Sequence, residues 1–263
     1  MRASTRVHRP LALLCGLTLL GAAGTAGARD LPEIVRNGTL RVGILRDTPR
    51  LNAVRGGGRT GLEVDLIGRF ARKLGVKVAW VRTSPATFGQ DLRSSRIDLL
   101  LPQNETLTLG AEAGLTSTNP YYCSGAVILS RGAAVRNSTG LLGKRIAVQP
   151  GKAYFDYLKR LALDKSSNVQ QDAASTVLTL IYKTADVAIV DKLAALEATF
   201  VYPKAGLKMS YPLWDTRFGA VVRLEDGGLR KAFNKTLQTL VESGAYDKLS
   251  GAYFPQNVRC STY

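Results

Sequence analysis

The chain has 263 residues, with 36 Lys and Arg against 20 Asp and Glu, for a formal net charge of +16. Its one histidine, His8, stands in an N-terminal segment that reads as removable, so the remainder contains none. That excludes Ser-His-Asp and Cys-His catalysis and any zinc site built on imidazole. No Gly-x-x-x-x-Gly-Lys-Ser/Thr, Gly-x-Ser-x-Gly or His-Glu-x-x-His string occurs either, and no metal or cofactor is expected.

Residues 1–28 have the parts of a secretory signal peptide. Arg2, Arg6 and Arg9 are the charged start, Leu11 to Gly21 is an apolar run too short to span a bilayer, and Ala26-Gly27-Ala28 offers small residues for cleavage. Cutting after Ala28 leaves 235 residues and lowers the charge to +13. Two cysteines remain, Cys123 and Cys260. In an oxidising compartment they are expected to pair, with two thiols as the alternative.

After the leader, strand and helix patterns alternate, which is the mark of α/β architecture. Leu40, Val42 and Ile44 alternate with Arg41 and Gly43 as a first strand. Arg55-Gly56-Gly57-Gly58-Arg59 looks like an RNA-binding element but occurs once in an exported chain, and reads as a flexible loop. The other basic residues are spread along the sequence, so no nucleic-acid partner is expected. Leu62, Leu66, Phe70 and Leu74 mark one helix face, with Gly75 placed to end it. Val76 to Trp80 and Ile97 to Leu101 read as strands, and Pro102 to Pro120 as a loop. A strand from Ala126 to Leu129 and an aperiodic stretch from Gly132 to Gly140 follow. The pattern then restarts with strand Ile146 to Val148, helix Ala153 to Leu163, a short strand near Val169 and helix Ser175 to Tyr182. Strand Val187 to Val190, helix Lys192 to Phe200, one strand over Phe218 to Val222, and helices Leu229 to Glu242 and Ala245 to Tyr253 complete the chain.

Seven strings, in order, resemble family 3 extracellular solute-binding proteins, the receptors of polar amino-acid ABC transporters. They are Gly38–Gly43, Gly61–Leu66, Leu92–Asp98, Asn119-Pro120-Tyr121-Tyr122, Gly143–Gly151, Ala185–Asp191 and Gly244–Leu249. The resemblance implies an α/β, two-lobed periplasmic-binding-protein type II fold with two interlobe crossing strands. Lobe one would comprise residues 30–123 plus 221–263, and lobe two residues 126–216. Cys123 would then begin a crossing segment, with Cys260 in a tail packed back against it. A small-molecule ligand would lie between the lobes and close a hinge. The location would be the periplasm, the partner an ABC permease or another periplasmic or membrane protein, and the protein a monomer.

In such a cleft an arginine grips the ligand carboxylate, helix-start N–H groups assist it, and an aspartate pairs with the ammonium. Asp191 matches that aspartate and also fits a helix N-cap. Gly151, Lys152 and Ala153 match the helix start. The carboxylate arginine is missing: counting along the family pattern reaches Gly110 or Ala111. The family's Asp-x-Pro-Pro-Phe platform reads here as Asp47-Thr48-Pro49-Arg50-Leu51. Arg46 and Arg50, just past the first strand, are the expected substitutes, and Thr106 and Thr108 the expected hydroxyl donors. These residues favour an anionic or amino-acid-like ligand. Two other functions fit the same fold. One is a sensory or partner-binding accessory protein with a divergent cleft; the other is a dehydratase, which needs an acid or base such as Asp191 in the cleft.

Overall fold

The computed structural model describes residues 29–102 and 114–260. The leader, Thr106, Thr108, Gly110 and Ala111 lie outside the described residues. In chain order the first sheet-forming half carries α1 (Leu31–Arg36), β1 (Thr39–Ile44), β2 (Ala53–Arg55), β3 (Gly58–Thr60) and α2 (Leu62–Leu74). It continues through β4 (Lys77–Arg82), α3 (Phe88–Arg93), β5 (Leu99–Leu101) and β6 (Leu115–Ser117). After β7 (Tyr122–Ser124) come β8 (Ala126–Arg131), β9 (Ile146–Val148), α4 (Lys152–Arg160), β10 (Ser167–Val169), α5 (Ala173–Ile181), β11 (Val187–Asp191) and α6 (Lys192–Val201). The chain ends with β12 (Leu207–Met209), β13 (Thr216–Phe218), β14 (Val221–Arg223), α7 (Gly227–Glu242) and α8 (Ala245–Gly251).

Two five-stranded sheets follow one plan. The first runs β4-β1-β5-β14-β6 and the second β10-β9-β11-β8-β12. In each, the first three strands are parallel, the fourth runs against them, and the fifth pairs antiparallel with the fourth. A strand flanked by helices on both sides must bury both its faces, and here it does. On the second sheet Ala126, Ile128, Val187 and Ile189 enter one core, while Val127, Leu129, Ala188 and Val190 enter another. On the first, Leu40, Val42 and Ile44 pack with Leu62, Leu66 and Phe70 of α2, while Leu100 and Val221 face a smaller core with Leu92 and Ile97. Gly75 takes the left-handed conformation that ends α2.

The chain passes between the sheets twice, through β7 and β13, which pair antiparallel with Tyr122 opposite Phe218. This is a mixed α/β fold with two lobes and two crossing strands. The sequence reads Phe218 to Val222 as one strand, and the structure corrects that. β13 ends at Phe218 in the crossing pair and β14 begins at Val221 in the first sheet. Between them the chain passes close to the Thr118 backbone and leaves no room for a side chain, since a Cβ on Gly219 would lie 2.5 Å from the Thr118 carbonyl oxygen. The basic glycine loop is also corrected: Arg55 and Gly58 close a hairpin, with Gly56 and Gly57 at positive φ in its turn.

Cys123 and Cys260 form a disulfide with Cα atoms 4.9 Å apart, and the Cys123 N–H donates to the Val258 carbonyl at 2.7 Å. The C-terminal tail is thereby tied to the first crossing strand. A buried ionic cluster secures the base of the first lobe. There Arg29 pairs with Asp98 at 3.2 Å, and Arg223 donates to the carbonyls of Leu92 and Arg29 and pairs with Asp226 at 2.8 Å. Burial pushes the Asp98 carboxyl up, against the pull of the Arg41 N–H and the neighbouring guanidinium groups.

α5, which forms part of the site, opens on a capping box. The Asp172 carboxylate accepts from the Ser175 N–H at 2.7 Å, and the Ser175 hydroxyl accepts from the Asp172 N–H. These bonds favour the ionised form and hold the Asp172 carboxyl below its ordinary value. A depressed carboxylate contributes stability above its unfolded pKa and loses it as pH falls through the folded value. Asp172→Ala should therefore lower the melting temperature at neutral pH, with the difference from the parent vanishing in strong acid. Parallel melts across the acid range check this.

Candidate functional site

β1 delivers its following loop to the edge of the second sheet, where β9, β11, α5 and α6 converge. A cavity of about 390 Å³ forms there. The first lobe contributes Arg46, Asp47, Thr48 and Pro49; the second contributes Gln149, Asp191 and the facing sides of α5 and α6. Its position matches the general rule that α/β sheets bind ligands beyond the carboxyl ends of their strands.

Asp191 ends β11 and caps α6. One carboxylate oxygen accepts from the Leu193 N–H at 2.8 Å and the other from the Ser124 hydroxyl at 2.7 Å. Its own N–H donates to the Gln149 side-chain oxygen at 3.0 Å. Asp191 is only 5 % exposed, yet it lines the cavity. Its anionic charge reaches further: Tyr154, packed edge-on against Trp214, has its hydroxyl pushed well up by burial and by Asp191.

The first-lobe arginines divide in the structure. Arg46 lines the cavity with Asp47, whose carboxyl is held below its ordinary value chiefly by a 2.8 Å hydrogen bond from Arg59. Arg50 is not in the lining. It adopts φ 62°, pairs with Glu197 of α6, donates to the Tyr253 carbonyl at 2.6 Å and stacks 3.9 Å above the Phe200 ring. It thus ties the β1 loop and the C-terminal tail to α6. Gly151 and Ala153 sit at the start of α4, two and four residues beyond Gln149 and outside the cavity lining, and Lys152 between them is the first residue of that helix. Gln149 falls inside the resembled string Gly143–Gly151 but is not set apart there, and Glu197 and the α5–α6 walls carry no sequence signal apart from the small residues Ala194, Ala195 and Ala198. Among the described residues no group of three or more His, Cys, Asp or Glu is placed to hold a metal ion, and no helix is long and apolar enough to cross a membrane.

Two sheets of one plan, two crossing strands and a cavity between them with charged groups from both sides define a two-lobed solute-binding protein. Residues 40–256 match the bacterial extracellular solute-binding proteins, family 3, and the chain belongs to that family. It is 26% identical to the lysine/arginine/ornithine-binding periplasmic protein of Escherichia coli K12 over 262 residues, covering 94% of this chain and 96% of that one. An ancestral cationic amino acid solute-binding protein has a solved structure with TM-score 0.72 and 26% identity, covering 85% of this chain and 99% of that one. The membrane-bound lytic murein transglycosylase F of Pseudomonas putida GB-1 is 27% identical over 91% of this chain, which spans 51% of that protein.

Proposed function

We propose that this protein captures a small zwitterionic, amino-acid-like solute in the cavity and presents it to an ABC permease in the periplasm. We take the lobes to divide as residues 30–123 plus 221–263, and 126–216, with the leader removed and the chain monomeric. One observation carries the reading: Arg46 from the first lobe and Asp191 from the second line the same cavity. An amino acid brings a carboxylate and an ammonium, and each needs an opposite charge once water is excluded. Arg46 supplies the first and Asp191 the second. Among the described residues the lining holds three carboxylates, Asp47, Asp191 and Glu197, against the one guanidinium of Arg46. Asp47 pairs with Arg59 and Glu197 with Arg50, so the lining presents Arg46 and Asp191 as groups of both signs, which favours a zwitterion over a purely anionic ligand.

We further read the chain as a binding protein and not an enzyme. The acid or base that a dehydratase needs would come from the lining carboxylates, of which Asp47 and Glu197 pair with Arg59 and Arg50, and Asp191 accepts from Leu193 and Ser124.

Titration calorimetry against the common amino acids, with Arg46→Ala and Asp191→Asn alongside, tests the proposal. Asn keeps the N-cap that Asp provides, so that variant isolates the charge. Each should weaken binding about ten- to hundredfold, the usual effect of losing a charge-assisted hydrogen bond. Tight binding that both variants leave unchanged would refute the assignment.

A further inference from the structure

We infer that the solute carries an apolar side chain, which lies in a groove between α5 and α6. This rests on the reading of the cavity as an amino-acid site and adds the class of amino acid.

The polar lining comes chiefly from the strand ends and the facing loop. Gln149 is bonded to the Asp191 N–H, Asp191 stands at the first turn of α6, and Arg46 and Thr48 come from the loop opposite. Away from that end the walls are apolar. On α5, Ala174, Val177 and Leu178 line the cavity at i, i+3 and i+4, so one helix face presents them. On α6, Ala194, Ala198 and Val201 line it at i, i+4 and i+7. α5 and α6 pack against each other on the same core. Where they face the cavity, three of these six side chains are alanines, and that shortness leaves the space open. A volume of about 390 Å³ is near the lower end of the range of roughly 300–1,000 Å³ for small-molecule sites, so it fits one amino acid and little more.

Among the described residues Glu197 is the one acid along the groove, and a cationic side chain would need it. Its carboxylate already pairs with Arg50, whose guanidinium is held further by the Tyr253 carbonyl and the Phe200 ring. A lysine or arginine ligand would have to displace that pairing or leave its own charge against alanine and leucine. An aliphatic chain only sheds water there.

The test is a homologous series, measured by calorimetry on the mature protein: alanine, 2-aminobutyrate, norvaline and norleucine, then lysine. Each added methylene should tighten binding about fourfold. Lysine, which carries the norleucine chain with an ammonium on its end, should bind more weakly than norleucine by at least about tenfold. Ala194→Leu, which narrows the groove at a half-buried position, should flatten the series. A flat or falling series in the parent protein, with binding still dependent on Arg46 and Asp191, overturns the groove assignment and leaves the amino-acid site standing. Lysine binding more tightly than norleucine overturns it in the same way. If none of the five binds, the amino-acid reading fails and this inference with it. The parent series decides the matter even where Ala194→Leu is poorly folded.

Discussion

Replacing Cys123 and Cys260 together by alanine is expected to lower the unfolding free energy by about 2–5 kcal/mol, toward the upper end of that range. The bridge joins residues 137 apart, and the chain-entropy cost that a cross-link removes grows with the loop it closes. It also secures a tail that works for the fold. Phe254 and Val258 belong to the main core of the first lobe, and the Tyr253 carbonyl helps hold Arg50. Urea denaturation of the parent, the double variant, and both with reductant makes the comparison. Reductant should bring the parent down to the variant and leave the variant where it was. A parent whose midpoint ignores reductant would show that the bridge contributes nothing.

Gly125→Ala should cost about 2–6 kcal/mol. Gly125 joins β7 to β8, where the chain crosses from one sheet to the other, and has φ +140°. A side chain at such a φ is strained by about 1–3 kcal/mol. The added Cβ would also lie 1.8 Å from the Trp214 carbonyl oxygen, an overlap that only backbone movement can relieve. Overpacking of that kind costs about 1–3 kcal/mol more. Movement is restricted because the Gly125 carbonyl accepts from the Lys192 N–H at 2.7 Å, at the first residue of α6. Gly132→Ala is the control, having φ +78° but open space around the new Cβ. It should lose only the backbone term, about 1–2 kcal/mol. Equal losses at the two positions would mean that the Trp214 contact is not what matters.

Much of the architecture is legible in the amino-acid sequence alone. Leu40, Val42 and Ile44 announce a strand, and Leu62, Leu66 and Phe70 a helix, because a buried face repeats with the period of its own backbone. All six are essentially fully buried. Asp191 is legible as a candidate for the cavity lining for a similar reason: it follows an apolar strand and precedes a helix, which is where an α/β sheet opens to ligand. Arg46 is legible because it follows β1. The order of the seven resembled strings points to two lobes and two crossings.

Other features belong to tertiary structure alone. Arg46 and Arg50 look alike in sequence, four residues apart on one basic loop. Only packing separates them, because Glu197 and Phe200, far along the chain, claim Arg50 while Arg46 lines the cavity. The division of Phe218 to Val222 into two strands depends on distant partners, because Phe218 pairs with Tyr122 while Val221 pairs with Leu100 and Ser117. The apolar groove exists because short and aliphatic side chains of two different helices line one cavity. A local window of sequence reports which face of an element is buried, since that is a property of one backbone. Which elements then meet across that face is set by contacts between distant segments, and no window contains both partners.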